Sequence, residues 1–189
     1  MKNLIVIASG PSLTRDDVNY CRNKGIVYVV KECRHLAPWA KALYAADTDW
    51  WVNEKGCKDF EGERWTCSDR AAQLYNINYV EGKPNWNWST ESGKVATGGN
   101  SGFQALNLGI LNEAPDRAIL LGFDMGHKTG SDKHWFDRTP HARFSRESNY
   151  DKWIERFNKA APYIPVPVLN ASPATALTCF ERVNLREVL

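Results

Sequence analysis

Neither G-x-G-x-x-G nor G-x-x-x-x-G-K-[ST] occurs anywhere in the 189 residues, so the two strongest phosphate-loop signatures are missing. Any phosphate would have to be held by a less marked turn. Excess charge is also missing: 24 Lys and Arg stand against 22 Asp and Glu, a net charge of +2 that excludes a broad field for nucleic acid or a membrane surface. An anionic partner must therefore be gripped locally. Cysteine is sparse and unpatterned. Cys21, Cys33, Cys57, Cys67 and Cys179 form an odd set without C-x-x-C, which argues against a disulfide framework or a cysteine zinc site and fits a reducing cytoplasm. The apolar run at Leu4 to Ala8 stops after five positions, too short for a signal-peptide core or a membrane span, so a soluble cytoplasmic protein is predicted. No internal repeat or low-complexity tract divides the chain, and residues 1–189 are predicted to form one domain.

The residues that are present organise themselves around the opening stretch. Leu4-Ile5-Val6-Ile7 is continuously apolar and mostly β-branched, which predicts a strand buried on both faces. Ser9-Gly10-Pro11-Ser12 breaks it. Thr14-Arg15-Asp16-Asp17 then has the form of a capping box, opening a helix that Gly25 is placed to end. Strand, small-residue turn and helix in this order suit a nucleotide. Gly10 lets the backbone approach a ligand, Pro11 stiffens the turn, and unpaired N–H groups at a helix start attract phosphate. A tight turn that holds nothing has the same pattern.

Ile26 to Val30 reads as a second buried strand, and Lys31-Glu32-Cys33-Arg34-His35 follows at its carboxyl end, where open α/β sheets place ligands and where solvated loops also occur. Ala42 to Ala46 reads as a third. Asp47 stands at its end, in a turn where Thr48 or Asp49 is predicted to cap the next helix, so ligand and structural roles compete. Arg64 to Cys67 and Asn78 to Val80 add short strands. The stretch from Gly82 to Gly93 has no period and is predicted to be a surface loop, with a lid as its functional alternative.

Thr97-Gly98-Gly99-Asn100-Ser101-Gly102 leads into a helix with Phe103, Leu106, Leu108, Ile110 and Leu111, and Pro115 stops it. Ala118 to Gly122 is the next strand, with Asp124 at its carboxyl end. A second small-residue turn, Gly99, Asn100, Ser101 and Gly102, is therefore expected to face the first across one edge of the sheet. His127, His134 and His141 follow at intervals of seven. No pair has the i, i+2 or i, i+4 spacing of a metal site, so no metal centre is predicted, and a general base competes with a solvated loop. Ser148-Asn149-Tyr150-Asp151 resembles another capping box, ahead of Trp153, Ile154 and Phe157 on one helix face. Pro165 to Asn170 reads as a sheet-edge strand, and Ser172 and Thr175 repeat the theme of hydroxyl residues after a strand end. The eight tryptophans serve either as core or as a surface on which a base or sugar stacks. The order of elements predicts an α/β fold with a mostly parallel sheet and helices on both faces.

Three segments in order carry a resemblance to a known family: Ser9-Gly10-Pro11-Ser12-Leu13, Thr97 to Asp124 with Leu121-Gly122-Phe123-Asp124, and Asn170 to Phe180 with Ser172-Pro173-Ala174-Thr175-Ala176-Leu177. Together they resemble the bacterial CMP-sialic-acid-dependent sialyltransferases and their pterin pyrophosphokinase-like relatives, and the middle loops are similar to phage and prophage proteins of unknown function. The resemblance implies a Rossmann-like three-layer fold and a nucleotide held by Ser9, Gly10, Pro11, Ser12, Asp47, Ser101 and Gly102. At the place of the family's catalytic histidine the chain has Phe144 before Ser145, so that role would pass to His141 or His134.

The expected function is thus glycosyltransferase-like: a CMP-sugar-type nucleotide sugar as substrate, an unknown acceptor, no membrane partner, and room for a homo-oligomer. Backbone donors would stabilise the leaving phosphate, and His134 or His141 would deprotonate the acceptor. The first alternative is pyrophosphoryl transfer or nucleotide hydrolysis, in which Asp47 and Asp124 would hold Mg²⁺. The second is a phage accessory protein that binds a nucleotide without turnover.

Overall fold

The computed structural model describes residues 1–126, 134–136 and 149–189. Its centre is β1 (Asn3–Ile7), whose side chains alternate between two cores: Leu4 and Val6 enter one, Ile5 and Ile7 the other, all four without solvent exposure. A strand with nothing to show to water on either face is why that run is continuously apolar. After it come α1 (Arg15–Tyr20), β2 (Ile26–Val30), a 3₁₀ turn over Lys31–His35, β3 (Ala42–Tyr44), α2 (Thr48–Asn53), β4 (Glu63–Thr66), α3 (Asp69–Tyr75) and β5 (Asn78–Tyr79). The chain goes on through β6 (Glu81–Lys83), β7 (Lys94–Ala96), α4 (Ser101–Glu113), β8 (Arg117–Leu121), α5 (Tyr150–Ala160), β9 (Val168–Asn170), β10 (Glu181–Arg182) and α6 (Leu185–Val188).

Eight strands form one sheet in the order β10-β9-β8-β1-β2-β3-β4-β5, and each adjacent pair is parallel. Helices α4 and α5 cover one face, where Phe103, Leu106 and Phe157 meet Leu4, Val6 and Tyr28. Residues of α1, α2, α3 and α6 join the core on the other face, among them Val18, Trp50, Trp51, Ala71 and Leu185. This is the expected Rossmann-like three-layer α/β fold. The strand order reverses beside β1, since β2 lies on one flank and β8 on the other. That reversal opens a crevice at the carboxyl edge. No helix among the described residues is long and apolar enough to cross a membrane.

Several local expectations change. α1 ends at Tyr20, short of Gly25, and Thr14 caps it: its Oγ1 accepts from the Asp17 amide and donates to the Asp17 carboxylate. Asp47, not Thr48 or Asp49, is the N-cap residue of α2, and Asn149 is that of α5. β9 is not at the edge, because β10 pairs beyond it. Pro165 and Pro167 precede β9, so they remove no amide from its ladder. The stretch from Gly82 to Gly93 is a largely exposed loop, as expected, but it starts within β6 and is anchored to the core. β6 and β7 pair in parallel around it, and Trp88 and Ser89 are buried. Asn107 of α4 supplies the missing partners: its Oδ1 accepts from the amides of Ser89 and Ala96, and its Nδ2 donates to the Ser89 carbonyl. A polar side chain in the core thus stands in for a ladder, something hydrophobic period alone does not reveal.

Candidate functional site

A cavity of about 550 Å³ opens at the carboxyl edge of the sheet, and both small-residue turns line it: Ser9, Gly10 and Pro11 from the end of β1, and Gly99, Asn100, Ser101 and Gly102 from the start of α4. Position at a strand-order reversal is what makes such a crevice in an open parallel sheet. The lid alternative for Gly82 to Gly93 is not supported, since none of those residues lines the cavity. Trp86, Trp88 and Thr90 line a separate depression with Tyr163 instead.

The β1 turn is held from below. Gly10 N–H donates to the Gly122 carbonyl at 2.8 Å, and a Cβ on Gly10 would lie 2.5 Å from that oxygen. Asp124, 2% exposed, accepts from both the amide and the hydroxyl of Ser12, at 2.6 and 2.5 Å. The donors that Ser12 was expected to offer a phosphate are therefore engaged by Asp124, and neither residue lines the cavity. Ser172 and Thr175 lie behind the same turn. Ser172 Oγ accepts from Phe123 N–H at 2.8 Å, while Thr175 Oγ1 donates to the Phe123 carbonyl at 2.7 Å. Neither hydroxyl borders the cavity; together they brace the segment that carries Asp124.

His134 is brought to the β1 turn by two contacts. Its Nδ1 lies 3.1 Å from Ser9 Oγ, and the Trp135 amide donates to the Ser9 carbonyl at 3.2 Å. Its ring stacks on Phe136 with centroids 4.8 Å apart. His141 lies outside the described residues.

The α4 turn is built from glycines and a cap. Asn100 Oδ1 accepts from Phe103 N–H at 2.8 Å, the bond that starts the helix, and Ser101 Oγ accepts from Ala46 N–H at 3.1 Å, tying the turn to the end of β3. The amide nitrogen of Asn100, Nδ2, is buried without a partner. A buried N–H₂ of this kind costs about 1–3 kcal/mol until something accepts from it.

Sequence reasoning left two cavity residues among several candidates and missed a third group. Lys31 closes β2 in a left-handed conformation, φ 50°, and its Nζ lies 2.6 Å from Asp47 Oδ2. Non-glycine residues in that region are strained and concentrate at functional sites. Glu32, 6% exposed, accepts from Trp50 Nε1 at 2.6 Å. Burial raises its carboxyl above the ordinary value of 4.5, with the Trp50 bond opposing. Tyr150, Lys152 and Trp153 add an aromatic and cationic wall from the start of α5, with Trp153 lying 3.5 Å from where a Cβ on Gly99 would be. An aromatic pair at i, i+3 beside polar residues was the available sign. The cysteines stand away from the cavity, and burial pushes the Cys21 and Cys57 thiols up to about 12, so neither provides a thiolate near neutrality.

Glu32 makes stability pH-dependent in a testable direction. Its folded pKa is raised, so the charged form is disfavoured in the fold, and the penalty grows as pH rises through the folded value and vanishes below 4.5. Glu32→Gln keeps an acceptor for Trp50 and removes the titration. Thermal melts should show the variant more stable than the parent at about pH 8, with the gap closing near pH 4. A gap of the same size at both ends would contradict it.

Compared with known protein families, with curated proteins and with solved structures, the chain matches none.

Proposed function

We propose that this cavity binds a nucleotide-activated sugar and that the protein transfers the sugar to an acceptor hydroxyl. The observation that supports this best is the convergence of the Ser9–Pro11 turn and the Gly99–Gly102 helix start on one cavity. The α4 amino terminus provides donors for a phosphate, while Tyr150 and Trp153 provide rings for a base. In transfer, an acceptor oxygen bonds to the anomeric carbon as the carbon–oxygen bond to phosphate breaks. The nucleoside phosphate leaves with the electron pair, and the acceptor proton goes to His134. In the tautomer whose Nδ1–H donates to Ser9 Oγ, Nε2 carries the lone pair that takes it. Charge developing on the leaving phosphate is what the fixed donors stabilise.

Pyrophosphoryl transfer with Mg²⁺ is less favoured, because Asp124 already accepts from Ser12 and Asp47 already pairs with Lys31. Activity that depends on a divalent ion would reverse that preference.

The test is a thermal-shift series with CMP, UMP, GMP, AMP and their sugar conjugates. A ligand at a hundred times its Kd should stabilise the fold by about 2.7 kcal/mol. No shift with any of them would refute the reading. Trp153→Ala should weaken the best binder about tenfold by removing a stacking ring, and because Trp153 is only half-buried the fold should survive. Unchanged affinity, measured by calorimetry, would remove the aromatic wall from the site.

A further inference from the structure

We propose that the acceptor of the sugar is the protein's own Ser9, whose hydroxyl bonds to the anomeric carbon while His134 takes its proton. This rests on the nucleotide-sugar reading above and adds the acceptor, a site of modification on the chain itself.

The argument starts from which donors are already spent. In the β1 turn, Gly10 N–H donates to the Gly122 carbonyl, Pro11 has no N–H, and the Ser12 amide donates to Asp124. That turn has little left for a phosphate, whose place is the amino terminus of α4, the other small-residue wall of the cavity. The anomeric carbon is joined to the phosphorus through a single oxygen, so the sugar then lies between the start of α4 and the β1 turn. What the β1 turn presents to it is Ser9, with His134 docked upon it, and both line the cavity.

Ser9 Oγ and His134 Nδ1 are 3.1 Å apart, the reach of a nucleophile and its base. Among the described residues Ser9 Oγ makes no other hydrogen bond. With the imidazole proton on Nε2, the hydroxyl donates to Nδ1, the opposite tautomer to the one an outside acceptor uses. As Oγ bonds to the anomeric carbon, the bond from that carbon to the phosphate oxygen breaks. The nucleoside phosphate leaves with the electron pair, and the serine proton stays on Nδ1. The pair is held rigidly. On either side of Ser9, Ala8 N–H and Gly10 N–H donate to the Leu121 and Gly122 carbonyls at 2.8 Å, and the Trp135 amide donates to the Ser9 carbonyl at 3.2 Å. The His134 ring stacks within 8° of parallel on Phe136, which is 3% exposed. Groups fixed in this way lose little freedom on approach to reaction. Ser101, the other serine that lines the cavity, has its Oγ turned to the Ala46 amide. A serine alkoxide is a poorer leaving group than a phosphate, so the step runs forward and each chain reacts once.

Mass spectrometry of the whole chain, incubated without any acceptor with CMP-N-acetylneuraminate, UDP-glucose, UDP-N-acetylglucosamine or GDP-mannose, tests this. The conjugate that raises the melting temperature should add the mass of a single sugar, and fragmentation should place it on Ser9. Nucleotide should be released in equal amount and then stop. Ser9→Ala should keep the thermal shift and lose the mass gain, whereas Ser9→Thr keeps a hydroxyl and should still gain. His134→Ala, with its thermal shift retained, should gain at least about a hundredfold more slowly, the usual worth of a general base; an unslowed gain there contradicts the pairing. A thermal shift of the parent protein without a mass gain overturns the inference, leaves nucleotide-sugar binding intact, and needs no variant to fold. A gain on Ser12 or elsewhere, or one that survives in Ser9→Ala, overturns it as well. If no conjugate binds at all, the nucleotide-sugar reading itself falls, and this inference with it.

Discussion

Replacing Gly122 by alanine is expected to lower the stability of the fold by about 3–5 kcal/mol and to abolish ligand binding at the cavity. Gly122 lies between β8 and Asp124 with φ 68°, in the left-handed region where an L side chain costs about 1–2 kcal/mol. Its added Cβ would sit 2.1 Å from the Ala8 carbonyl oxygen and 2.9 Å from the Ala8 carbonyl carbon, so backbone must move. The movement separates the ends of β1 and β8, breaking Ala8 N–H to Leu121 O and Gly10 N–H to Gly122 O, both 2.8 Å and each worth about 1 kcal/mol. Gly93→Ala separates the two causes. Its φ of 76° is similar, but its Cβ would meet nothing within 4 Å, so only the conformational part, about 1 kcal/mol, should be lost. Urea unfolding of both variants measures the difference. Equal destabilisation would mean that the close approach of the two strand ends is not a constraint, and the β1 turn would need another explanation.

The parts of the molecule that could be read along the chain are those whose cause is local. β1, β2 and β8 are recognisable because a strand covered on both faces has no polar position to keep, and α4 because its start is marked by Gly98 to Asn100 and its end by Pro115. The same locality made the two cavity turns visible: small residues at a strand end are unusual enough to stand out wherever they meet in space. What could not be read was which polar residue answers which. Ser12 and Asp124 are 112 positions apart and meet only because β1 and β8 pair, so their types alone are equally suited to a phosphate, a metal or each other. Ser172 and Thr175 are a similar case. A hydroxyl after a strand end reads as a ligand contact, but here both turn inward to satisfy the backbone of Phe123. Glu32 errs in the opposite direction. It looked like one polar residue in a charged turn, and only the packing of Trp50 above it shows a buried carboxyl in a cavity wall. Burial is a tertiary fact and leaves no periodic trace in a segment of five residues.

Asp124 carries the second large expected effect, one that divides a structural clamp from a reacting group. Asp124→Ala deletes the acceptor of two Ser12 hydrogen bonds at a site 2% exposed and leaves the Ser12 amide and hydroxyl to find other partners, a loss of about 3 kcal/mol. Asp124→Asn should fall between the two proteins. Its carbonyl oxygen can accept from the Ser12 amide while its NH₂ donates to Ser12 Oγ, so neutral hydrogen bonds replace two charge-assisted ones. Ser12→Ala removes only the hydroxyl, so its effect should be smaller, and the double variant should be less destabilised than the two singles summed, because they share one interaction. A clamp of this kind predicts that stability and ligand affinity fall together. Each variant lowers the melting temperature first, and the β1 turn loses its hold on the Ser9–Pro11 backbone as a consequence. A reacting carboxylate predicts the opposite pattern: Asp124→Asn would keep the parent's melting temperature to within about 1 °C and its affinity, yet lose turnover. Melting curves, calorimetry and a turnover assay on the parent and the four variants decide between them, and the geometry, which commits both carboxylate oxygens to Ser12, favours the clamp.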